Sequence, residues 1–205
     1  MKEAMHPYEN IPLSTAGLVV GIYLLVSHAF MLAKPAQAQG WLKKLPRNYN
    51  AGVYAMSIGL IWFWLLVAPD LRGTFAFLGK LSLDLGEFNQ LKPILRLAVP
   101  LVCIGLCTQV REFLFVRGLG IITLVAAAPI LKAAFLAEPS SRVLLSFFAY
   151  VMLTKGLFWI GMPYTFRDAI NWATKTDSRW KILAASGLIY GIVVLILSLT
   201  AWRGF

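Results

Sequence analysis

The stretch Leu119–Met162, LGIITLVAAAPILKAAFLAEPSSRVLLSFFAYVMLTKGLFWIGM, decides the fold that we predict for this chain. It contains two apolar runs separated by a polar turn at residues 138–141. Each run is close to the ~20 residues that an α-helix needs to cross a bilayer. The pattern predicts a transmembrane helical hairpin, and Lys132 and Lys155 lie well inside its two apolar runs.

The whole chain has the composition of a membrane protein. Of its 205 residues, 59% are hydrophobic and 14% are charged, and its mean hydropathy is +0.73. A soluble domain of this size cannot bury so much apolar surface. Because the apolar runs are continuous rather than alternating, they predict helices and not the strands of a barrel. We therefore predict an all-α, polytopic integral membrane protein with a single domain over residues 1–205.

Six apolar runs have the length of transmembrane spans. They cover residues 13–32, 51–69, 93–110, 119–137, 143–162 and 182–202. Two segments between them, residues 70–92 and 163–181, carry apolar positions at helical spacing with charged positions between, as at Leu81 and Leu85. Such segments are typical of amphipathic helices that lie on a membrane surface. The prediction is thus six transmembrane helices plus two interfacial amphipathic helices.

The positive charges predict the orientation of the chain. The loops at residues 33–50, 111–118 and 163–181 hold ten Lys and Arg residues, whereas the termini and the other two loops hold six. Loops rich in Lys and Arg stay on the cytoplasmic side of a membrane. We therefore predict a protein of the cytoplasmic (inner) membrane with both termini outside. The net charge of +10 then indicates anionic lipid at the cytoplasmic face as a partner, and no nucleic acid.

Three cations fall inside the predicted spans and are candidates for lipid or anion binding: Arg96, Lys132 and Lys155. Each lysine lies close enough to a span end for its ammonium to reach the interface, so simple anchoring is the alternative. Arg96 and Lys132 both lie in the outer half, where we expect them to converge on one anionic group such as a lipid phosphate. None of the nine acids falls inside a span, which disfavours ion-coupled transport.

Small residues predict where helices pack closely. Gly17 with Gly21, and Gly187 with Gly191, are GxxxG pairs, which allow another helix to approach. A weak internal repeat adds to this pattern, because the segment around Pro35 is echoed around Pro163 at nearly the same separations from the flanking spans. The alternative is that membrane hairpins share Pro and Trp at their interfaces by composition alone.

His28 is the single histidine in a predicted span. One imidazole permits a chlorophyll-type pigment, whereas membrane haem commonly needs two axial ligands, and a packed histidine is the alternative to both. Cys103 and Cys107 share a helix face and predict packing. No metal-ligand set and no catalytic motif is present in the sequence.

These observations favour a non-catalytic membrane subunit or scaffold that packs against partner helices or copies of itself and holds lipid or a hydrophobic cofactor. Bound lipid is the ligand that we expect first. The alternative is a small transporter or channel for an anionic or amphipathic solute, which predicts a water-filled cavity that reaches a lysine. A third hypothesis is an intramembrane enzyme that acts on lipid, although the sequence supplies no evident acid, base or metal set for it.

Overall fold

The computed structural model describes residues 11–68 and 82–204. These residues form eight α-helices and no strand. The helices are α1 (Leu13–Ala33), α2 (Pro35–Lys44), α3 (Tyr49–Val67), α4 (Lys92–Gln109), α5 (Leu114–Ala134), α6 (Val143–Gly161), α7 (Tyr164–Ala173) and α8 (Asp177–Leu199). Short 3-10 helices cover Leu45–Arg47, Gly86–Leu91 and Ser140–Arg142.

Six of the helices are long and apolar enough to cross a membrane: α1, α3, α4 with the 3-10 turn before it, α5, α6 and α8. The predicted all-α class and the number of span-length helices are therefore confirmed. Two helices begin five residues before the predicted spans, α5 at Leu114 and α8 at Asp177. A helix can begin before its apolar run, because its backbone hydrogen bonds do not depend on apolar side chains. The α8 helix begins after Thr176, whose hydroxyl accepts a bond from the Arg179 N–H.

Helices α1 and α8 form a close antiparallel pair. Gly17 lies against the side chain of Ser198, and a Cβ added to Gly21 would come within 3.0 Å of the Leu195 backbone nitrogen. Gly191 in turn lies against the backbone of α1. The absence of side chains at these glycines lets the two backbones approach, which is how helices gain van der Waals contact when lipid removes the hydrophobic drive between them.

Helices α3, α5 and α6 form a second glycine-lined group. Gly118 of α5 lies against the backbone of Met56 in α3, and the two helices run parallel. On the other side of α5, a Cβ at Gly120 would come within 2.9 Å of the Gly156 carbonyl oxygen in the antiparallel α6. Helix α4 packs on α3, where the Tyr49 hydroxyl donates to the Cys107 carbonyl (2.6 Å). The contact order in this group is therefore α4, α3, α5, α6.

The α1–α8 pair meets this group mainly near one end of the molecule. The Tyr190 hydroxyl of α8 donates to the Leu144 carbonyl at the start of α6, and the Trp202 indole N–H donates to the Ser141 hydroxyl (2.9 Å). Leu13 belongs to the buried apolar cluster at this end. At the opposite end the short helices α2 and α7 contact each other. A cavity remains between the two helical groups on the α2 and α7 side.

The structure does not show the first predicted interfacial helix, over residues 70–92. Residues 69–81 lie outside the described residues, residues 82–85 have no regular structure, and Gly86–Leu91 is a 3-10 helix. Local polar groups explain the difference. The Asp84 carboxylate accepts bonds from the Gly86 N–H (2.9 Å) and from the Asn89 side chain, and Gly86 takes a positive φ of 56°. These turn interactions compete with an α-helix.

The second predicted interfacial segment contains the helix α7, whereas α2 was missed because residues 33–50 read as a charged loop. Pro35 stands in the first turn of α2, a position that needs no backbone N–H. The burial of Ala38 and Leu45 gives α2 an inward face that the sequence could have revealed. Each of these short helices has ten residues and follows a span-length helix closely.

Replacing Gly118 with Ala is expected to destabilise the protein by ~1–3 kcal/mol, the usual cost of overpacking. The added Cβ would lie within 2.8 Å of the Met56 Cα, and a backbone cannot yield as a flexible side chain does. Thermal unfolding in mild detergent measures the effect. Gly40→Ala, inside helix α2, is the matched control, because no atom lies within 4 Å of its added Cβ. Equal unfolding temperatures for the two variants would contradict the proposed packing.

The turn at Asp84 is expected to loosen in acid. Hydrogen bonds from the Asn89 side-chain amide, and then from the Gly86 backbone N–H, lower the pKa of the Asp84 carboxyl below its ordinary value. A lowered folded-state pKa means that the ionised carboxylate stabilises the turn above the unfolded-state pKa, and that this contribution is lost as the pH falls through the folded-state pKa. Hydrogen exchange at the Gly86 amide, corrected for its intrinsic pH dependence, should therefore accelerate only below about pH 4. Asp84→Asn should abolish this pH dependence.

Candidate functional site

The candidate site is a cavity of about 460 Å³ between the α1–α8 pair and α6, on the side of the short helices. Five helices line it: α1, α2, α6, α7 and α8. Its walls are mainly aliphatic and aromatic, with Phe158 and Trp159 from α6 and Phe166 and Ile170 from α7. The Trp159 and Phe166 rings meet edge to face with centroids 5.2 Å apart. The volume falls within the ~300–1,000 Å³ of small-molecule pockets.

Lys155 is the single positively charged residue among those that line the cavity. It lies six residues before the end of α6, or ~9 Å along the helix. Its ammonium makes no hydrogen bond or ion pair with the residues that the structure describes, and its side chain is exposed to the cavity side of the protein. An ammonium with apolar neighbours and no counter-charge is costly unless water or an anion reaches it.

The hydroxyl and indole N–H groups of three other lining side chains already donate hydrogen bonds to backbone carbonyls. The Thr154 hydroxyl donates to the Tyr150 carbonyl (2.9 Å), and the Thr165 hydroxyl donates to the Met162 carbonyl (2.7 Å). The Trp180 indole donates to the carbonyl of Met31 (2.9 Å). Among the lining residues, Lys155 and the indole of Trp159 are left as donors without a described partner. The lining therefore favours a ligand with hydrogen-bond acceptors over a ligand with donors.

His28 lines the same cavity but lies in the α1–α8 seam. Its Nδ1 lies 2.9 Å from the Leu24 carbonyl oxygen, so this nitrogen carries the proton. Its Nε2 lies against Gly187 of α8, where a Cβ would collide with the ring. Both ring nitrogens therefore face helix atoms. This geometry favours the packed histidine over an axial ligand of a pigment or haem.

The structure separates Lys155 from Lys132, another of the three predicted anion-binding cations. Gly156, next to Lys155, faces Thr123 and Leu124 of α5, so Lys132 lies eight or nine residues farther along α5, about 13 Å away in level. Lys132 is exposed near the other end of the molecule. Lys155 therefore cannot share a site with it.

Arg96 lies toward the same end as Lys132. Its Nε donates to the carbonyl of Ala68 at the end of α3 (2.8 Å), and the Trp64 indole donates to the Arg96 carbonyl (3.2 Å). Part of its guanidinium thus serves α3–α4 packing. That Arg96 and Lys132 converge on one anion stays a prediction.

The sequence predicts that Arg117 lies in a loop, whereas the structure places it in a helix. It lies in the first turn of α5, and its Nη1 donates to the Ile160 carbonyl at the end of α6 (2.9 Å). The last carbonyls of a helix lack intrahelical partners and carry partial negative charge, so Arg117 caps α6. This contact fixes the end of the helix that carries Lys155.

No group of three or more His, Cys, Asp or Glu side chains that could hold a metal exists among residues 11–68 and 82–204. Cys103 and Cys107 are free thiols on the α4 side that packs near Met56 of α3. No protein-family model, curated protein or solved structure shows significant similarity to this chain.

If His28 is a packing residue, Gly187→Ala should destabilise the protein, because the new Cβ meets the imidazole ring. Adding His28→Ala should recover part of that loss, with a coupling of ~0.5–3 kcal/mol in a double-mutant cycle of thermal unfolding. Additive losses would contradict the contact. A visible absorption band that disappears in His28→Ala would restore the pigment hypothesis.

Proposed function

We propose that this chain is a non-catalytic integral membrane subunit or scaffold whose cavity holds an anionic lipid. The observation that carries the proposal is the Lys155 ammonium, which has no partner among the described residues and lies in a mainly apolar cavity. An anionic head group would neutralise this charge, and the acyl chain would replace water along the aromatic walls. The anionic head group would offset the cost of holding this ammonium among apolar side chains.

The charge pattern supports an orientation in which the cavity faces the cytoplasmic leaflet. Helices α2 and α7 lie at the end where the ten loop cations gather. Both expose aromatic side chains, Trp41 on α2 and Trp172 on α7. Trp is enriched at membrane interfaces, and Lys and Arg are enriched in cytoplasmic loops. We therefore propose that α2 and α7 lie in the cytoplasmic interface, with both termini outside.

The scaffold part of the proposal is supported by the outward face of α4. Leu97, Leu101 and Ile104 are exposed on this helix, and Gly105 has no neighbour within 4 Å of an added Cβ. A small residue on an exposed apolar face allows close approach of another helix. The partner would be a second copy of this chain or a helix of a larger complex. Purification in mild detergent as a monomer without partners would count against this part.

Lys155→Ala is expected to reduce the anionic lipid retained in native mass spectrometry at least tenfold, which corresponds to ~1.4 kcal/mol. The loss of one ammonium from the cavity is the physical reason. Lys175→Ala is the matched control, because Lys175 is exposed on the same side of the molecule and is not a lining residue. Equal lipid retention by wild type and Lys155→Ala would overturn the proposal.

A transporter for an anionic or amphipathic solute is the second candidate. The observation in its favour is that the cavity lies between two helical groups and reaches a lysine. Its apolar walls favour a ligand with an apolar chain over a column of water. Proteoliposomes decide between the two functions: a transporter gives a solute flux that Lys155→Ala abolishes, whereas a scaffold gives none.

A further inference from the structure

We propose that the ligand of this cavity is a single-chain amphiphile with a carboxylate head, such as a long-chain fatty acid, that enters sideways from the bilayer between α6 and α8. The inference rests on the proposed lipid-binding function and specifies its ligand class. Three features of the cavity carry it: one available positive charge, a limited volume and large exposed apolar side chains on α6 and α8.

The charge of the lining matches a monoanion. Lys155 is the single cation among the lining residues, and none of them is acidic. Trp159 contributes the second available donor, an uncharged indole N–H. The hydroxyl oxygens of Thr154 and Thr165 present lone pairs, because their protons go to backbone carbonyls, so they would repel a second negative charge. A carboxylate carries one negative charge, which matches the one ammonium of the lining.

The volume matches one acyl chain. About 460 Å³ lies in the lower half of the ~300–1,000 Å³ that ligand pockets span. Phe158, Phe166, Ile170 and Leu183 provide apolar walls from three different helices. A lipid with two chains and a bulky phosphodiester head would have to leave one chain outside the cavity.

The large exposed apolar side chains of the lining belong to α6 and α8. These helices contact each other near the start of α6, where Tyr190 packs on Phe148 with ring centroids 6.4 Å apart. Toward the α7 end no comparable contact joins them within the described residues. There the lining side chains Phe158 of α6 and Leu183 of α8 remain 46% and 43% exposed. In a bilayer both face acyl chains, so a chain can pass between them without crossing water.

The test uses the full-length protein in neutral phosphatidylcholine nanodiscs, with cis-parinarate, a fluorescent fatty acid, as the probe. Energy transfer from tryptophan to the probe reports binding, since Trp159 and Trp180 line the cavity. We expect oleate to displace the probe and methyl oleate, which lacks the charge, to fail. Lys155→Ala should weaken probe binding at least tenfold, and Lys155→Arg should retain it.

A second variant tests whether binding needs the volume of the cavity, separately from the charge of Lys155. Ala169 lines the cavity and is exposed, so Ala169→Phe should fill the space and block the probe while Lys155 stays in place. Displacement by methyl oleate as strong as by oleate would overturn the carboxylate assignment. Displacement by phosphatidylglycerol but not by oleate would overturn the single-chain ligand and leave the proposed lipid-binding function intact. Binding of neither fatty acid nor phosphatidylglycerol would overturn both.

Discussion

Close backbone contact at glycine is the constraint on which the rest of this structure depends. Gly17 and Gly191 bring α1 and α8 together, and Gly118 and Gly120 bring α5 against α3 and α6. In a hydrocarbon solvent there is no hydrophobic gain in joining two apolar helices, so the contact area that small residues permit must hold them. Few other side chains can replace the glycines at these helix contacts, because the neighbouring atoms include backbone atoms that cannot rotate away.

The cavity follows from the distribution of these seams. Glycine lines the contacts within the α1–α8 pair and within the α3–α5–α6 group, whereas the contact between α6 and α8 relies on larger side chains such as Tyr190 and Phe148. Larger side chains hold the helices apart, and this contact is confined to one end. The space left at the other end is the cavity, and Lys155 of α6 lines it. Arg117 fixes the end of α6 through its hydrogen bond to the Ile160 carbonyl.

Sequence reasoning predicted the long helices well because an apolar run of about 20 residues carries its own signal. It failed where polar groups decide local structure. Asp84 and Asn89 form a turn in a segment whose leucines suggest a helix, and α2 was hidden by the four cations around it. It also placed Lys155 and Lys132 in the correct helices but had no means to show which of them faces a cavity, since that depends on how α6 and α8 diverge in space. The predicted repeat around Pro35 and Pro163 corresponds to a shared order of helices, long, ten-residue, long, in α1–α2–α3 and α6–α7–α8.

The connections to the short helices have a mechanical consequence. Lys34 alone separates α1 from α2, and Met162 with Pro163 separates α6 from α7. With connections this short, a change in the tilt of either long helix would move the short helix that follows it. Transmembrane helices adjust their tilt to the thickness of the surrounding hydrocarbon. Lipid composition would therefore alter the width of the cavity that Lys155 lines.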